Sequence, residues 1–139
     1  MARLDHTPKT VSIVDLIHDG RGVARWPEGH AQAGKTVFVS GALPGETVSV
    51  QQTARSRHFD EAKTLEVIAP SPDRVQPRCP HFGTCGGCVL QHLAEDRQIE
   101  AKQRTLLDNL QRIGHVAPQS VLPPLRGDSW GYRRKGRFS

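Results

Sequence analysis

The sequence predicts a small all-β barrel of OB-like architecture, followed by a small cysteine-bearing subdomain that contains one helix. Three observations carry that expectation. Residues 10–68 read as short strands punctuated by turns, with no sustained 3.6-residue period. All three cysteines fall within residues 79–88, and a helical period appears only after them.

Residues 10–17 form the first expected strand, turned by Asp19, Gly20 and Gly22, and residues 22–26 begin the second. KTVFVS at 35–40 is rich in β-branched and aromatic side chains and makes the third. GALPGE at 41–46 is a turn, in which Pro44 fixes one dihedral and glycine supplies another that other residues resist. Residues 47–53 alternate with Val48 and Val50 inward, and residues 62–68 alternate with Leu65 and Val67 inward. Five strands in about sixty residues suit a closed Greek-key barrel, which leaves no exposed sheet edge. Between the last two strands, residues 53–63 are expected as a loop in which Arg55, Arg57 and Lys63 cluster around Phe59. A ring amid cations suits RNA, because the ring stacks a base while the cations hold phosphates. The plainer alternative is a solvated hairpin, since Asp60 and Glu61 offset much of that charge.

APSPDRVQP at 69–77, with three prolines, reads as a stiff extended linker into the cysteine loop. There Cys79, Cys85 and Cys88 are spaced C-x5-C-x2-C, with Gly86 and Gly87 between the last two. Two thiolates separated by two small residues can converge on one metal centre, and glycines let the backbone fold around the sulfurs. Iron-sulfur clusters and tetrahedral zinc both ask for about four ligands. The chain offers three cysteines, so the fourth ligand is His81 or His92 in a zinc site, an exogenous molecule, or a cysteine outside these residues. Ordinary thiols, or one disulfide with a leftover cysteine, are the bland alternative. Against it stand Pro80, Gly83, Gly86 and Gly87, loop formers among which core cysteines seldom sit.

After the loop, Ile99, Gln103, Leu106, Leu110 and Ile113 form a helical stripe over residues 93–113, widened by Leu107 and ended by Gly114. Glu100 with Arg104 and Asp108 with Arg112 are i,i+4 pairs on its outer face. The simplest role for this helix is a lid on the cysteine loop.

The chain has 139 residues, a formal charge of +5 and a pI near 9.6. Arg126, Arg133, Arg134, Lys135 and Arg137 against Asp128 carry most of that excess within residues 126–139. An anionic partner follows, with nucleic acid the default, and Tyr132 beside Arg133, Arg134 and Lys135 is a second candidate contact. This basic segment has the look of the first strand of a further domain. No apolar run approaches the roughly 18 residues of a membrane span, and MARLDHTPKT lacks the apolar core of a signal peptide. A cytoplasmic, monomeric protein is expected, and the odd cysteine count agrees with a reducing compartment.

DGRGVAR at Asp19, KTVFVSGALPGETV at Lys35, PSPDRVQPRCPHFGTCGGCVLQHL at Pro70 and GYRRKGRFS at Gly131 together resemble the N-terminal part of the RNA (uracil-5-)-methyltransferases, closest to those that act on 23S ribosomal RNA and carry an iron-sulfur cluster. The resemblance implies a TRAM domain, an RNA-binding OB-like barrel, at residues 1–69. It implies a cysteine-loop and helix subdomain at 70–125, and the start of a further basic domain at 126–139. It also implies that Cys79, Cys85 and Cys88 are ligands of a 4Fe-4S cluster whose fourth cysteine lies downstream. The family's activity is methyl transfer from S-adenosylmethionine to C5 of a uridine, through a cysteine adduct at C6 and a carboxylate base. None of those catalytic residues can be placed in this chain, nor can an S-adenosylmethionine site: the cysteines are already claimed and no Gly-rich strand-to-helix turn is present. The expected function is therefore the RNA-binding and iron-sulfur part of an enzyme whose catalytic α/β domain lies elsewhere. A stand-alone TRAM-type RNA-binding module and a small zinc or redox protein are the alternatives.

Overall fold

A computed structural model describes residues 4–137. The strands are β1 (Lys9–Ser12), β2 (Asp15–Leu16), β3 (Gly22–Arg25), β4 (Thr36–Ser40), β5 (Thr47–Arg55) and β6 (Phe59–Ala69), followed by helix α1 (Glu95–Arg112). They form one curled sheet in the order β1-β5-β6-β4-β3-β2, antiparallel except for the parallel pair β4 and β6. The expected first strand is broken in two by a bend at Ile13 and Val14. Its first half pairs with β5 and its second with β3, so one segment joins both ends of the sheet. Buried Ile13 anchors the bend, its amide donating to the Glu46 carbonyl at 2.9 Å.

Strand alternation places Val11, Ala24, Val37, Val39, Val48, Val50 and Ala62 in the core together with Ile13, Ala42 and Trp26. Leu65 does not join them, contrary to expectation, and is 48% exposed. The register passes from Ser49 opposite Glu66 to Val50 opposite Thr64, so a bulge skips Leu65 and turns it outward. The expected loop at 53–63 is also absent: β5 runs to Arg55 and β6 begins at Phe59. Ser56 closes the turn, its hydroxyl donating to the Phe59 carbonyl (2.6 Å) and accepting from the Phe59 amide (3.2 Å). Asp60 hides this strand from a hydrophobicity reading, because it faces the core as a fully buried carboxylate. It accepts from Trp26 Nε1 at 2.8 Å and from Lys35 Nζ at 2.6 Å, partners that buried charge requires.

Helix α1 starts with Glu95 and Asp96 and ends with Arg112, charges that suit its dipole. Arg104 binds Asp15 of β2 at 2.9 Å and Arg97 binds Asp73 at 3.2 Å, so the helix lies beside the barrel, and a groove runs between it and residues 15–18. The expected i,i+4 partners are taken elsewhere: Arg97 holds Glu100, and Asp108 stands 3.9 Å from Arg104. No helix residue is fully buried; Leu106 and Ile113 of the expected stripe are 58% and 76% exposed. Residues 115–137 contain no strand or helix, so the expected strand there is not formed. Trp130 in this segment lies under the Arg78 guanidinium, 4.6 Å from its ring centroid.

Candidate metal centre and nucleic-acid interface

The chain leaves the barrel through a clamp. Glu46, 1% exposed, accepts Nε of Arg74 at 2.6 Å and Nη2 at 2.9 Å, and also the amides of Leu43 (2.8 Å) and Ser71 (3.2 Å). Arg74 Nη2 reaches the Gly41 carbonyl as well, at 2.7 Å. Burial alone would raise the Glu46 pKa, but the Arg74 guanidinium and the two amides outweigh it and hold the carboxyl below its ordinary value. Just beyond, the Val75 amide donates to the His92 carbonyl (2.9 Å) and the Ala94 amide to the Asp73 carbonyl (2.8 Å). The proline-rich linker is therefore pinned at both ends of the cysteine loop, and residues 76–91 are pinched off as one closed loop.

Tight turns shape its interior. The Phe82 amide donates to the Cys79 carbonyl (3.2 Å), and the amides of Thr84 and Cys85 donate to the His81 carbonyl (3.1 and 2.9 Å). Gly83 sits at φ +89°, which a side chain would resist. Gln91 reaches back to accept the Cys79 amide at 3.2 Å. From the barrel side, Gly20 (φ +88°) presses on the loop so closely that a Cβ there would stand 2.6 Å from the Val89 carbonyl oxygen.

Cys79, Cys85 and Cys88 are free thiols, the first half-buried and the others exposed, so the disulfide alternative is not formed. Among the described residues, no three His, Cys, Asp or Glu side chains stand where they could hold one metal ion. The loop brings the three cysteines onto one short ring of backbone but does not converge their sulfurs. Of the two candidate histidines, His81 is exposed and His92 is 2% exposed. Neither ring nitrogen of His92 has a hydrogen-bond partner among the described residues, while its ring lies 5.2 Å from that of Phe82 in the cysteine loop. Burial, and then the charge of Arg74, lower its pKa to about 4, so it is a neutral imidazole with one N–H and one lone pair. An unpartnered buried polar group costs about 1–3 kcal/mol. Three free thiols on a pinched loop, with this orphaned imidazole at the base of the loop, fit a thiolate-bound metal group in donor chemistry. His92 was one of two histidines named by sequence; only burial separates it from His81.

The first group of candidate RNA contacts shares one hairpin. Arg57 is exposed at its tip, Arg55 is partly buried at the end of β5, and Phe59 and Lys63 point outward from β6. The sequence reading missed Phe38, whose ring centroid is 5.2 Å from that of Phe59. Its signal was present in KTVFVS, where Phe38 lies between two inward valines and so must face out. The second group, Tyr132, Arg133, Arg134 and Lys135, is exposed in the segment without regular structure, with Arg133 over the Tyr132 ring at 5.8 Å. No helix of the described residues is long and apolar enough to cross a membrane.

Residues 8–63 match the TRAM domain family. Along 138 residues, 99% of the chain, the sequence is 70% identical to the 23S rRNA (uracil(1939)-C(5))-methyltransferase RlmD of Stenotrophomonas maltophilia strain R551-3. It is 68% identical over 137 residues to the RlmD of Xanthomonas euvesicatoria pv. vesicatoria. In both cases the chain spans 30% of the relative's length. Residues 8–63 are thus similar to a TRAM domain, and nearly the whole chain is similar to one segment of the RlmD relatives.

Proposed function

We propose that this chain is the RNA-binding and metal-binding part of a methyltransferase that moves a methyl group from S-adenosylmethionine to C5 of a uracil in 23S ribosomal RNA, in the cytoplasm and as a monomer. One observation carries the reading: 70% identity, over 99% of the chain, to a protein named for that reaction. The order of elements supports it, with strands to Ala69, then the clamped cysteine loop, then helix Glu95–Arg112. In this reading Cys79, Cys85 and Cys88 would hold three corners of a 4Fe-4S cluster. When bound, such a group supplies a redox-active crosslink of the loop. The 139 residues alone are expected to transfer no methyl group. Incorporation of labelled methyl into ribosomal RNA by this chain would overturn that.

Orphaned His92 supports a second reading, a Cys3His zinc site closed within the chain. Metal content of protein purified without oxygen separates the two. Iron with acid-labile sulfide, lost when any of the three cysteines becomes Ser and kept in His81→Ala, supports the cluster. Tightly bound zinc, released by His92→Ala, rejects it.

A further inference from the structure

The outward face of β3, β4 and β6 has an aromatic surface that the cluster and the hairpin tip do not account for. In parallel register Thr36 lies opposite Phe59 and Phe38 opposite Glu61, while Val37 and Asp60 between them point into the core. Phe38 and Phe59 therefore share the outer face, tilted at 58° with centroids 5.2 Å apart. Val23 of β3, opposite Phe38, extends the apolar strip. All three are only partly buried, and cations surround them. The Arg21 guanidinium lies over the Phe38 ring at 5.1 Å, Lys63 stands two residues along β6 from Glu61, and exposed Arg25 lies opposite Thr36. Two acids meet this face, both through Arg21, which engages Asp19 at 2.8 Å and Glu61 at 3.3 Å and leaves Arg25 and Lys63 without a carboxylate partner among the described residues.

We propose that this face binds unpaired RNA, two successive bases stacking on Phe38 and Phe59 while Arg21, Arg25 and Lys63 hold the flanking phosphates. The inference rests on the RNA-binding reading above and narrows it from a charged hairpin to a stacking platform. Charge complementarity selects the occupant, since an apolar strip rimmed by guanidinium and ammonium groups suits a polyanion that carries flat apolar faces. A duplex hides those faces, so the platform selects single strands. Its position gives it reach: Arg21 follows Gly20, which presses on Val89 next to Cys88, so the stacking face is continuous with the cysteine loop.

The test is binding of a fluorescein-labelled oligouridylate of about twelve nucleotides to the 139-residue chain, read by anisotropy across a salt series. Phe38→Leu and Phe59→Leu, which keep apolar bulk, are expected to weaken binding about tenfold each and to leave the salt slope unchanged. Phe38→Trp should bind at least as well as wild type, which shows that the leucine variants lose stacking and not the fold. Charge reversal at Arg55 and Arg57 should weaken binding and flatten the slope. The platform is overturned if both leucine variants bind like wild type, or if a duplex of equal length binds as tightly as the single strand. Wild-type chain that binds neither RNA overturns the RNA-binding reading itself, and the platform with it.

Discussion

Replacing Arg74 by Ala removes the one side-chain cation that, among the described residues, meets the buried Glu46 carboxylate, and the cost can be worked out from the hydrogen bonds. Glu46 keeps two amide donors, Leu43 and Ser71, and loses two charged hydrogen bonds of 2.6 and 2.9 Å. Breaking one side of a buried pair typically costs about 3–5 kcal/mol, because the other charge stays buried. Arg74 is itself partly exposed, so the low end, about 3 kcal/mol at neutral pH, is expected. For a chain of this size that lowers the melting temperature by roughly 10 °C. Acidity should then reduce the deficit. In the wild type the Glu46 pKa lies below its unfolded value, so its stabilisation is present above about pH 4.5 and is lost as pH falls through the lower folded value. Without Arg74 only the two amides oppose burial, so that pKa moves back up and the variant loses less than the wild type on acidification. Urea unfolding of both proteins at pH 7 and near pH 4 measures this, since the gap must narrow on acidification. A loss under about 1 kcal/mol at pH 7, or a gap independent of pH, would refute the clamp as the fastening of loop to barrel.

His92→Phe should flatten the pH dependence of wild-type stability between 6.5 and about 4, the window in which the unfolded chain binds a proton that buried His92 refuses; an unchanged pH profile counts against a neutral, buried imidazole. Gly20→Ala is expected to cost at least about 2 kcal/mol, from a φ of +88° and a 2.6 Å approach to Val89, and to speed thiol labelling of Cys88; unaltered labelling would mean that the barrel does not steady the loop. Trp26→Phe should cost about 2 kcal/mol by leaving Asp60 short of its 2.8 Å donor in the core, as chemical denaturation would show. Reversing Arg55, Arg57 and Lys63 together should lower the RNA salt slope by about 0.7 for each phosphate no longer neutralised; a slope that stays put would move the interface to Arg133, Arg134 and Lys135.

Where alternation was clean the sequence spoke directly. Val37, Val39, Val48 and Val50 face the core as their spacing requires. The misreadings share a cause, namely polar residues that occupy core positions and apolar ones that leave them. Asp60 is inward because Trp26 and Lys35, more than twenty residues upstream, complete its hydrogen bonds, and no local pattern shows that. Leu65 is outward because a bulge, set by how β5 pairs with β6, shifts the phase. His92 and Glu46 are similar: each is an ordinary polar letter until tertiary packing buries it. Phe38 is the opposite case, since its place between two inward valines puts it on the outer face by alternation alone.

The strand order has a consequence for how this chain comes to be folded. β6 is the last strand to be made, yet it lies in the middle of the sheet, between β5 and β4. During synthesis the earlier strands can form only two partial ribbons, β1 with β5 and β2 with β3 and β4, each with an unsatisfied inner edge. Assembly must wait for residues 59–69, which fold back on β5 as a hairpin and then pair in parallel with β4, the sequence-distant step that joins the two ribbons and is the slower for the loop it must close. Ending the chain at residue 63, where the TRAM match stops, would remove the half of β6 that pairs with the start of β5. The smallest piece of this protein that can be handled alone is therefore longer than its recognised domain.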